Sequence, residues 1–322
     1  MAYSTGNATD QHDLLSKIKN FLDANGFSIN KWEAAGTGWR LNVNLGDWYM
    51  NFRSAVNENI TTFGSGGANT TGIAMAPSTG YDPAGEGASV GIQWRKQPGA
   101  PIWNEPVAVG VGNISGAVPQ YHFFLNADGF IACIEVATGT WEHLAFGQLT
   151  TFGSGGHALD GFFAAGSMSG QSMNQNTGIF GQGTYPKMFA YFNNSDFAQH
   201  WFSIYSGLGT AYYHTSARGF PPFPRLITST SKADMGILHT LLRSTPGHIA
   251  NLTPLYPSYF SLTWLSDNDF LFGYFDSVRC SIITPFTALE EITIGLNTWK
   301  IFPVIDTVDT TRPFAIAVKK EI

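Results

Sequence analysis

The chain has 322 residues, 12% charged and 14% aromatic, with 36 glycines and a formal net charge of −6. Charged residues are about half as frequent as in ordinary soluble domains, so much of this surface is expected to be covered by partners. The acidic balance excludes the clustered Lys and Arg that grip nucleic-acid backbones, and Cys133 and Cys280, far apart and outside any CxxC pair, exclude a zinc ribbon or a disulfide framework.

The two cysteines leave two readings open, a pair of buried thiols or one long-range disulfide. No apolar run approaches the roughly 20 residues that span a bilayer, so no membrane insertion is expected. The opening Met1–Gly6 lacks the charged and apolar regions of a secretory signal, and synthesis in the cytoplasm is expected.

In chain order, the first element is a helix over about residues 10 to 25. Asp10 can cap it, Asp13 places negative charge in the first turn, and Leu14, Leu15, Ile18, Phe21 and Leu22 recur at helical spacing before Gly26. Its expected role is to cover a sheet, with docking against a neighbouring subunit as the alternative. The period then changes to two: Trp39 to Leu45 alternates apolar and polar residues, and Asp47 to Phe52 is expected to pair back across Leu45-Gly46-Asp47.

Thr61 to Gly91 is rich in Gly, Ser, Thr, Ala and Pro and reads as long loops. A meander follows: Tyr121–Leu125, a turn at Asp128-Gly129, Phe130–Val136, and a second turn at Thr138-Gly139 before Trp141. It is expected to lie at the centre of the fold. Gly166 to Gly183 reads as a long loop or linker. It divides the chain into residues 1–165 (helix and first β-rich lobe), a linker at 166–184, and residues 185–322 (second β-rich lobe), although one continuous domain is equally compatible with the length.

Beyond it, Phe220-Pro221-Pro222-Phe223-Pro224 is extended and stiff, and Lys232 to Arg243 has the spacing of a short helix. Strands are expected at Tyr259–Trp264, Phe270–Phe275 and Val278–Ile283, with turns at Asp267-Asn268-Asp269 and Asp276-Ser277. A last hairpin joins Glu291–Ile294 to Trp299–Phe302, and Phe314–Val318 closes the chain. The fold class is therefore mainly β: antiparallel sheets in a sandwich-like body, with one amphipathic helix and long Gly/Ser-rich loops.

The heptapeptide Thr-Thr-Phe-Gly-Ser-Gly-Gly occurs at 61–67 and 150–156, but neither copy has the ending or spacing of a phosphate cradle. Ser65 and Ser154 have Phe63 and Phe152 where a nucleophile elbow needs glycine. There is no HExxH. His143, set among aromatics, reads as a hydrogen-bonded core or interface histidine. The acidic residues offer pairs such as Glu135 with Glu142, but spacing alone sets no glycosidase geometry. No catalytic residue, metal or cofactor is assigned. The candidate residues are instead at contacts between subunits: Leu14, Ile18, Phe21, Trp103, Trp141, His143, Phe220 and Phe223.

Three stretches carry a resemblance: the opening Thr5-Gly6-Asn7-Ala8-Thr9-Asp10 with the helix after it, the span Tyr121 to Gly147 ending in His143-Leu144-Ala145-Phe146-Gly147, and Trp299–Pro303 followed by Phe314–Lys320. Together they resemble a group of tailed-bacteriophage virion proteins. The resemblance implies a non-enzymatic structural subunit of tail, baseplate or neck, located in the virion and contacting other virion proteins and copies of itself. Two alternatives from other classes are a receptor- or carbohydrate-binding tail module, with a host surface glycan as partner, and a polysaccharide-degrading tail enzyme.

Overall fold

Asp10 starts helix α1 (Gln11–Ala24) by accepting the amides of His12 and Asp13 on its Oδ1, at 2.7 and 2.8 Å. These are two of the donors that a helix N-terminus leaves without internal partners. Gly26, at φ 91°, ends the helix, and the amides of Gly26 and Phe27 return to the carbonyls of Asp23 and Leu22. Leu14, Leu15, Ile18 and Leu22 are completely buried, each contributing about 1.5–3 kcal/mol. The computed structural model describes residues 1–58, 70–85, 97–98, 109–112, 114, 116–148, 150–151, 162–169, 186–191, 201–205, 222–226, 256–264, 268–282, 286–304 and 314–320.

The first half of the chain supplies the strands β1 (Ala2–Ala8), β2 (Ser28–Ala35), β3 (Gly38–Leu45), β4 (Trp48–Glu58), β5 (Thr70–Ser78), β6 (Val109–Val111), β7 (Val118–Asn126), β8 (Gly129–Ala137), β9 (Thr140–Gln148) and β10 (Thr150–Thr151). The second supplies β11 (Phe162–Gly166), β12 (Met168–Ser169), β13 (Pro186–Tyr191), β14 (Trp201–Tyr205), β15 (Pro222–Leu226), β16 (Tyr256–Trp264), β17 (Asn268–Ile282), β18 (Glu291–Ile294), β19 (Asn297–Val304) and β20 (Phe314–Lys320). They form two sheets. The smaller runs β12-β6-β5-β4-β3-β2; the larger runs β1-β7-β8-β9-β11-β13-β14-β15-β16-β17-β20-β19-β18, with β10 paired to β17. The described pairings are antiparallel except β14 with β15, so the mainly β expectation holds. Strands from both expected lobes share the larger sheet.

The meander β7-β8-β9 is buried on both faces. On its first face Phe123, Ala132 and Leu144 stand opposite one another, as do Leu125, Phe130 and Phe146. They pack with α1 and with Leu41, Val43, Met50, Phe52, Ile73 and Met75 of the smaller sheet in one core. On the second face Phe124, Ile131 and Ala145 are in register, and β19 and β20 lie across β9 and β7. A strand dry on both sides loses the polar–apolar alternation of a half-wet one, which explains the near-continuous apolar run Phe130–Ile134.

Two expectations are corrected. Within Thr61–Gly91, residues 70–78 form β5 rather than loop: Ile73 and Met75 face the core, and Gly72, Ala74 and Ala76 are small because the opposite face is also buried. Asp276-Ser277 is not a turn between strands but part of the continuous β17. The turn composition appears there as an irregularity, since Pro257 pairs with Arg279 while Ser258 pairs with Phe275. Residues 61–69, 86–91 and 170–183 of the expected loops, the helix expected at 232–243 and the first heptapeptide copy lie outside the described residues. Of the second copy, Thr150 and Thr151 form β10.

Candidate functional site

Leu14 and Ile18 are buried against the chain's own sheets, so α1 covers them as expected. Phe21, at the rim of the same core, packs on Phe123 and Phe130 with ring centroids 5.6 and 6.0 Å apart. Trp141 and His143 are likewise interior, because β19 and β20 cover the meander's second face. These four buried residues, Leu14, Ile18, Trp141 and His143, are therefore corrected from contact surface to core. Phe223 belongs to β15, in register with Thr263; Trp103 and Phe220 lie outside the described residues.

The seam on the second face gathers the most unusual chemistry among the described residues. His122, Cys133 and His143 occupy facing register positions on β7, β8 and β9. All three are buried, and Cys133 is a free thiol. Phe302 of β19 meets His122, Phe124 and Trp141 at centroid distances of 5.2, 5.8 and 5.3 Å. The Tyr3 hydroxyl and His122 Nδ1 are hydrogen-bonded at 2.7 Å. By contrast, His122 Nε2 and both ring nitrogens of His143 have no hydrogen-bond partner among the described residues.

Burial holds both imidazoles neutral. It depresses His122 to about 4, helped by the Lys300 charge, and His143 to about 3. Burial also pushes the Cys133 thiol up, so it is no ready nucleophile. Nearby, Lys300 and Lys320 share Glu291, whose carboxylate is held below its usual range first by the Lys320 hydrogen bond. Lys300 Nζ also reaches the Leu289 carbonyl at 3.1 Å, and Lys320 Nζ sits 4.8 Å from the Tyr3 ring centroid.

The outer face of the smaller sheet carries a second polar system. Asn30 donates to Asn42 and Asn44, Asn42 donates to Asn51 at 2.6 Å, and Asn51 donates to Ser78 Oγ and the Ala76 carbonyl. Arg53, also buried, pairs with Glu58 at 2.8 Å. These bonds tie four strands together and leave the amides engaged with each other. Among the described residues no group of three or more His, Cys, Asp or Glu is placed to hold a metal ion.

What the described surface does present is apolar hairpin ends. At the edge of the larger sheet, β18 pairs only with β19 among the described residues. Its end and turn expose Ile294 by half and Leu296 completely, on a Gly295 turn at φ 63°. Leu45, at the β3–β4 turn, is also half exposed. Sequence reading placed the β18–β19 hairpin correctly but offered no reason to choose Ile294 and Leu296 as contacts, because exposure depends on what the edge is left without. No protein-family model matches the chain, and no curated protein sequence matches it significantly.

Proposed function

We propose that the chain is a structural subunit of a bacteriophage particle, of its tail, baseplate or neck, and that it acts through contacts with other virion proteins and copies of itself. The observation that carries the contact half is the β18 edge, which pairs on one side alone among the described residues and exposes Ile294 and Leu296, beside which Lys300, Lys320 and Glu291 brace the hairpin. An unpaired strand edge with apolar ends is a template for another chain. The virion half rests on the sequence resemblance, whose three stretches fold together: β1 pairs with β7, β8 and β9 continue the meander, and β19 and β20 cover it.

The test is twofold. Mass spectrometry of purified particles should find the chain in stoichiometric amount, and Leu296→Asp with Ile294→Asp should weaken assembly while leaving the melting temperature of the isolated chain unchanged. A chain absent from the particles, or a wild-type protein that stays monomeric at high concentration and binds no virion protein, sinks the reading.

A further inference from the structure

The His122–Cys133–His143 row lies where two layers of the fold meet, and its ring nitrogens have a geometry suited to only one charge state. His143 is wholly enclosed with neither nitrogen bonded among the described residues, and His122 has only the Tyr3 hydroxyl. A neutral imidazole tolerates such packing, whereas an imidazolium needs a partner or water.

The surrounding charges do not supply that partner. Toward His122 stand Tyr3 from β1, Cys133 from β8, Lys300 from β19, Glu291 from β18 and Lys320 from β20. Protonation there adds a third positive charge to two lysines that already share one carboxylate. Around His143, β8 contributes Cys133 and, farther along the same face, Glu135, which accepts the Gly139 amide; burial alone, with no neighbouring charge, lowers the His143 pKa. The described residues of β6 and β11 carry no titratable group. Glu142 is on the opposite face, accepting the Gly112 amide. Ser167 bonds only the backbone of His143.

We propose that this seam is an acid-operated joint, in which protonation of His122 and His143 parts the β18–β20 layer from the meander while α1 and the smaller sheet stay folded. Among the described residues the one histidine besides His122 and His143 is His12, on α1. It has both ring nitrogens hydrogen-bonded, to Ser54 and Gln11. Opening the seam gives both imidazoles water at once and separates the His122 charge from Lys300.

Cys133 sits between the two histidines and reports the opening directly. The full chain is treated with 4,4′-dithiodipyridine at pH 7.5 and pH 4.5, the labelled cysteine is identified by peptide mass spectrometry, and hydrogen exchange is followed in α1 and β19. Cys133 labelling is expected to rise about tenfold or more at the lower pH, with β19 losing protection and α1 keeping it. His143→Leu, which forfeits no side-chain hydrogen bond seen among the described residues, should reduce that rise, and His122→Phe combined with it should abolish it. Equal labelling at both pH values, labelling that appears only together with exchange throughout α1, or an acid response that survives in His143→Leu unchanged overturns the proposal. Should the double variant not fold, the wild-type exchange pattern and the single variant still decide it.

Discussion

Asp128, in the turn between β7 and β8, holds both the amide and the hydroxyl of Ser277 on β17. The two residues are 149 positions apart in sequence, and their contact fastens the meander to the last third of the chain. Burial raises the Asp128 pKa, and the Ser277 bonds pull it partly back. A carboxylate raised in this way favours the fold most when protonated, and that contribution is lost as pH rises through its folded value. The bonds, not the charge, therefore make the clasp. Asp128→Ala strands two buried donors and should cost about 2 kcal/mol, with Asp128→Asn costing less because it keeps an acceptor; urea midpoints measure both.

The asparagine ladder gives a graded prediction. Asn51 is buried and bonded on both sides, so Asn51→Ala should cost about 2–3 kcal/mol. Asn30, at the exposed end, should cost less than about 0.5 kcal/mol when replaced by Ala. Equal losses at the two positions would show that the amides do not act as a connected chain.

Gly129 and Gly147 face each other across β8 and β9. A Cβ on Gly129 would meet the Phe146 carbonyl oxygen at 2.3 Å, and its φ is 147°. Gly129→Ala should destabilise by about 3 kcal/mol or more, because backbone on both sides must move. Gly46, at φ 60° in open space, should lose only about 1 kcal/mol on the same change. Thermal melts of the two variants separate crowding from turn strain.

The histidines set a pH window for overall stability. Both folded values lie below the unfolded value of about 6.5, so the unfolded chain binds protons first. Their contribution is fully present above that pH and is lost as pH falls toward about 4 for His122 and about 3 for His143. For His122 the gap corresponds to about 3 kcal/mol. Denaturant titrations from pH 7.5 to 4.5 should show this loss, smaller in His143→Leu, which should also be at least as stable as wild type at pH 7.5.

Local chemistry was readable and distant pairing was not. Asp10, the leucines of α1 and Gly26 act within a few residues, so the helix could be placed to about one residue, and Gly46, Gly129 and Gly139 marked hairpins for the same reason. β5 escaped because its Gly and Ala residues, chosen for close packing on a second buried face, have the composition of a loop. Nothing near Tyr3 says that it will meet His122, and nothing near Asp128 points to Ser277. The sequence places His143 among the contact residues because its aromatic neighbours suit a core and an interface alike, and both its burial and the unpartnered state of its ring depend on strands from elsewhere in the chain.

The doubly buried meander also has a consequence for synthesis. Its first face is closed by α1 and by β3–β5, all translated before it, whereas its second face waits for Phe302 and the strands β19 and β20. A nascent chain that has just completed β9 therefore shows Phe124, Ile131 and Trp141 to solvent until the last strands leave the ribosome. During that interval it is a natural client for a chaperone, and a ribosome that stalls early releases a sheet with one adhesive side.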